Sequence, residues 1–71
     1  MWAETMYYEA TQQATKSSLR RISRCYKSWV GDDDQETVNK LITFLLKMDA
    51  ETPIIDKNTK NILKGFQLNK N

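Results

Sequence analysis

Gly31, Pro53 and Gly65 are the only glycines and the only proline in this 71-residue chain. Long stretches without a breaker, separated by isolated residues that do break helices, leave few folds open. Between these points the apolar residues recur at helical spacing. From Thr5 to Val30, Tyr8, Leu19, Ile22, Tyr26, Trp29 and Val30 share one face, with Tyr7 and Cys25 at its edge. Thr11, Thr15 and Ser18 continue that stripe with small side chains, which either admit a close helix neighbour or leave the first turns poorly anchored. Gly31 reads as the stop, since glycine takes the left-handed conformation cheaply.

Asp33, followed three residues later by Glu36, reads as the capping start of a second helix. The acids Asp32 to Asp34 also oppose its positive dipole end. Val38, Leu41, Ile42, Leu45 and Met48 form its stripe, widened by Phe44 and Leu46, so this helix is expected at the centre. Thr52-Pro53 then reads as N-cap and first position of a third helix, with Ile55, Thr59, Ile62 and Leu63 inward. Gly65 would end it, with Phe66 folding back onto its last turn. No alternating run or hairpin turn suggests a strand. The expected fold is all-α: a small three-helix bundle with helices at about 5–30, 34–49 and 53–64. A single helical domain over 1–71 is expected, with 67–71 a frayed tail.

The residue inventory argues against catalysis. There is no histidine, and Cys25 is the single cysteine, so neither a disulfide nor a Cys/His zinc site is available within the chain. Cys25 borders the apolar face and reads as structural, since nothing in the sequence supplies a base for it. The acids at 32–36 read as helix capping ahead of a divalent-ion site, and two glycines cannot build a phosphate loop. The expectation is no enzyme, no cofactor and no metal. The longest apolar run, Leu41 to Leu46 with Thr43 inside it, falls far short of a membrane span. The N-terminal sequence does not resemble a secretory signal, so an intracellular protein, cytoplasmic or nuclear, is expected.

That leaves surfaces. Lys16, Arg20, Arg24 and Lys27 follow one another at spacings of four, four and three, with Arg21 beside them. No acid lies between Glu9 and Asp32 to pair with them. Such a face is either solvated or a contact for an acidic protein surface or peptide. Arg20-Arg21-Ile22-Ser23 also has the pattern of a basophilic kinase site, although a helix would hide it. Trp2, Tyr7 and Tyr8 cluster at the N-terminus, as a staple closing the bundle or as a binding hot spot. The leading expectation is therefore a protein–protein interaction module, an adaptor or regulator. Its partner-binding residues would be Lys16, Arg20, Arg21, Arg24 and Lys27, with Trp2, Tyr7 and Tyr8. The alternative is a nucleic-acid-binding protein using the same basic face together with Lys57, Lys60 and Lys64 of the third helix. Self-association into a homo-oligomer is compatible with either, because so short a chain buries a small core.

Overall fold

Side chains that pack on a helix must recur every three or four residues, and the buried set obeys that spacing in four separate α-helices. The structure, a computed structural model, describes residues 2–29 and 34–67. Within them lie α1 (Trp2–Gln12), α2 (Lys16–Ser23), a 3₁₀ turn (Tyr26–Trp29), α3 (Gln35–Glu51) and α4 (Lys57–Phe66). No strand occurs among the described residues. The all-α reading stands; the three-helix bundle matches roughly, with four α-helices counted among the described residues.

The difference lies in the first helix expected over 5–30. It is broken at Gln13 to Thr15, and a second interruption at Arg24 and Cys25 leads into the 3₁₀ turn. At the first break the hydroxyl residues satisfy the backbone themselves. Thr15 Oγ1 accepts the Ser18 N–H at 3.1 Å, and Ser18 Oγ accepts the Thr15 N–H at 3.2 Å, closing a reciprocal capping box. Ser18 Oγ also donates to the Gln13 carbonyl. Serine and threonine compete with the helix for backbone partners in this way, and here a fresh helix start wins.

The break changes which face of α1 is inward. Ala3 and Ala10 are fully buried, with Met6 and Tyr7 packed between them, whereas Tyr8, Thr11 and Thr15 are exposed. The expected stripe through Tyr8 and Thr11 is corrected accordingly: α1 packs on α3, and its inward residues are Ala3, Met6, Tyr7 and Ala10. Tyr7 packs edge-on against Phe44 of α3, with centroids 6.4 Å apart.

α3 is the central element, packing against both α1 and α4. Val38, Leu41, Ile42 and Leu45 are buried, and Leu19 and Ile22 of α2, Trp29 of the 3₁₀ turn and Leu63 of α4 join the same core. The indole N–H of Trp29 finds no acceptor among the described residues. The N-cap of α3 is Asp34, whose carboxylate accepts the Thr37 N–H at 3.1 Å and the Thr37 hydroxyl. The expected cap Asp33 and the expected stop Gly31 lie outside the described residues.

α4 also departs from expectation at both ends. Thr52 is the C-cap of α3, Pro53 to Ile55 turn the corner, and the N-cap of α4 is Asp56. Gly65 lies inside α4, which runs on to Phe66. The Phe66 carbonyl accepts from Gln35 Nε2 at 2.9 Å, and its ring packs against Tyr26 at 5.9 Å. Gln67, expected to fray, donates from Nε2 to Thr43 Oγ1 at 2.8 Å; residues 68–71 lie outside the described set.

Two substitutions test these local assignments by urea denaturation. Thr15→Ala removes the α2 capping box and is expected to cost about 1 kcal/mol. A Cβ added at Gly65 meets nothing within 4 Å. Gly65→Ala is therefore expected to stabilise by about 0.5 kcal/mol, since alanine favours the helix.

Candidate functional site

α2 is anchored by one apolar side and leaves the other to solvent. Leu19, Ile22 and Ser23 are buried, while Lys16, Arg20, Arg21 and Arg24 are exposed. The structure therefore brings four of the five expected basic residues together on α2 and its C-cap. Lys27 is exposed on the 3₁₀ turn, a separate element.

These cations are not all without partners. Arg21 forms an ion pair with Glu9 of α1. In one unbroken helix, residues twelve apart would stand about 18 Å apart along the axis. The break at 13–15 is what lets the two helices fold back and bring them into contact. Arg20 Nε donates to the Ile54 carbonyl at 3.2 Å, tying α2 to the corner between α3 and α4. Hydrogen bonds from Thr59 hold the Asp56 carboxyl below its usual range, and the nearby Arg24 charge adds a smaller part. The expectation of a wholly uncompensated basic face is thus narrowed by Glu9, Ile54 and Asp56.

The corner itself depends on Asp49, the last residue of the second expected helix, to which the sequence pattern assigned no role. Asp49 is only 6 % exposed, in the last turns of α3. Its Oδ1 accepts the backbone N–H groups of Ile54 and Ile55, each at 2.9 Å, and its Oδ2 lies 2.6 Å from Lys60 Nζ. Burial pushes the Asp49 carboxyl upward. The ammonium of Lys60 and the amides of Ile55 and Ile54 outweigh it, lowering the pKa to about 2 from 3.8. The signal that could have found it is periodicity: Asp49 continues the Ile42–Leu45 stripe, at seven and four residues on.

Two clefts flank this corner. One, of about 280 Å³, lies between α2 and the segment 53–56, with Arg20 and Arg24 on one wall and Pro53, Ile54, Ile55 and Asp56 on the other. A smaller one of about 120 Å³ has Lys16, Leu19, Met48, Thr52 and Ile54 in its lining. Ile54 borders both.

The remaining candidates divide. Tyr7 is half-buried on Phe44, whereas Tyr8 is 67 % exposed, the one large hydrophobic residue so exposed among those described. Trp2 begins α1, and its side chain lies outside the described set. On α4, Lys57 and Lys64 are exposed, but Lys60 is drawn inward to Asp49. Ser23 of the kinase-like pattern is 1 % exposed, its hydroxyl donating to the Arg20 carbonyl at 2.7 Å. Cys25 is half-buried, with its sulfur 3.4 Å from the Arg21 carbonyl.

No protein-family model matches the chain, and no significantly similar curated protein or solved structure was found.

Asp49 makes a prediction about acid. Its folded pKa lies below 3.8, so its contribution to stability is present above that value and is lost as pH falls towards 2. The urea midpoint of the wild type is expected to drop between pH 5 and 2. Asp49→Asn, destabilised by about 3 kcal/mol at neutral pH, is expected to show a flatter profile over the same interval.

Proposed function

We propose that this chain is a small helical interaction module that binds an acidic segment of another protein along α2. The observation that carries the reading is the pairing of exposed cations with open, partly apolar clefts on one side of that helix. Lys16 borders the smaller cleft, and Arg20 and Arg24 border the larger. A flat solvated face would offer charge alone. This one offers charge beside the exposed Pro53, in clefts whose deeper lining includes the largely buried Ile54 and Leu19, which is how a surface distinguishes a particular segment from any anion. Arg21, paired with Glu9, contributes less, and Lys27 sits off the α2 surface. Tyr8, exposed on α1, is the described N-terminal aromatic whose side chain is open to a partner.

The nucleic-acid reading uses the same cations but loses part of its support. Its second stripe needed Lys57, Lys60 and Lys64 together, and the Lys60 ammonium is committed to Asp49.

Fluorescence anisotropy with a labelled glutamate-rich peptide, a DNA duplex and a single-stranded RNA separates these readings. The peptide is expected to bind, and Lys16→Glu with Arg24→Glu to weaken it at least tenfold while the circular dichroism is unchanged. Arg20 is left intact because it also braces the corner. Unchanged peptide affinity in that double variant would sink the proposal. So would tighter nucleic-acid binding whose salt dependence counts several phosphates.

A further inference from the structure

The larger cleft combines an unusual set of walls for so small a protein. Arg20 and Arg24 stand one helical turn apart on α2, about 6 Å along its axis. Arg20 spends one donor, Nε, on the Ile54 carbonyl. That bond orients the guanidinium at the cleft and leaves its four terminal N–H donors for other partners. The facing wall is apolar for three residues, Pro53, Ile54 and Ile55, and ends in Asp56. Asp56 is committed as the α4 cap. Its Oδ2 accepts the Thr59 N–H at 3.1 Å and its Oδ1 the Thr59 hydroxyl at 2.8 Å. Those bonds, together with the Arg24 charge, hold it below the usual carboxylate range, so it is a fixed negative charge on the rim.

Resting on the reading of α2 as a contact surface, we propose that this cleft takes one peptide carboxylate flanked by an apolar side chain, and that Asp56 selects it against phosphate. Two guanidinium groups less one carboxylate leave a single net positive charge. That matches a glutamate or aspartate side chain, which carries one negative charge. A phosphomonoester carries about −1.5 to −2 at neutral pH and three acceptor oxygens. Its excess charge would face Asp56 rather than a cation. The volume of about 280 Å³ lies just below the usual range of small-molecule sites, enough for one or two side chains and too little for a docked helix. Pro53, the exposed apolar member of that wall, then favours an apolar neighbour beside the acid.

Backbone amide NMR titrations of the full chain test this with three capped peptides: acetyl-Leu-Glu-Leu-Gly-amide and its versions with Gln or phosphoserine in place of Glu. The Glu peptide is expected to shift amides of 20–24 and 54–56. The Gln peptide is expected to bind at least tenfold more weakly, and the phosphoserine peptide more weakly than Glu. Arg24→Gln is expected to reduce the Glu affinity about tenfold. Asp56→Asn, which keeps a good cap, is expected to raise phosphoserine affinity more than Glu affinity. Tighter phosphoserine binding to the wild type overturns the selectivity. Shifts confined to Lys16 and its neighbours overturn the cleft assignment while leaving an acidic partner on α2 in place. Absence of any shift, with the long glutamate-rich peptide also failing to bind, removes both. Equal shifts on raising protein concentration without peptide overturn the proposal in favour of a second copy of the chain.

Discussion

A single carboxylate, that of Asp49, sets the corner on which the surface of this protein depends. Helix α3 ends with carbonyls to satisfy, and the next residues must reverse direction while Ile54 and Ile55 are buried. Burying those two residues also takes their amides out of water, which costs free energy unless each finds an acceptor. Asp49 supplies one oxygen to both amides, and Lys60 from the following helix neutralises the other. With the corner held, the Ile54 carbonyl presents itself to Arg20, and α2 is fixed against it. The spacing of the larger cleft is thus inherited from a group that does not line it.

The apolar framework was readable from the chain because it repeats. Val38, Leu41, Ile42 and Leu45 mark the inner face of α3 whatever precedes them, and Leu19, Ile22 and Leu63 do the same for their helices. The ends of elements were much less readable, for a physical reason. Thr15 and Ser18 suit the surface of a continuous helix as well as a new helix start, and the choice turns on how α1 packs on α3. Pro53 is as compatible with an extended corner as with a first helical turn. The buried Asp49 decides between them, and that is a tertiary interaction. Gly65 has the composition of a stop, but α4 passes through it to place Phe66 against Tyr26.

The basic residues show a similar division between what residue type declares and what folding adds. Their clustering on α2 follows from spacing alone. Their partners do not, because Glu9, the Ile54 carbonyl and Asp56 approach from three other segments. A charge count along the sequence overstates the field such a face projects, since a pair formed across a helix break leaves no local trace. What folding adds in exchange is relief: the apolar walls next to Arg20, Arg24 and Lys16 exist only once the corner has closed.

The helix starts use two different chemistries, and they respond differently to protons. α3 and α4 begin at Asp34 and Asp56, both held below the usual carboxylate range chiefly by bonds from Thr37 and Thr59, and Asp49 braces the corner between them. α2 begins at hydroxyl groups, which do not titrate in this range. Acid therefore acts on the caps of α3 and α4 and on the corner between them, and leaves the cap of α2 alone. Protonation weakens the helical hairpin that forms the floor of the clefts, while the cap of the helix bearing the arginines keeps its bonds. Only acid strong enough to reach carboxyls held below 3.8 would loosen that floor, and the arginines above it would still carry their charge.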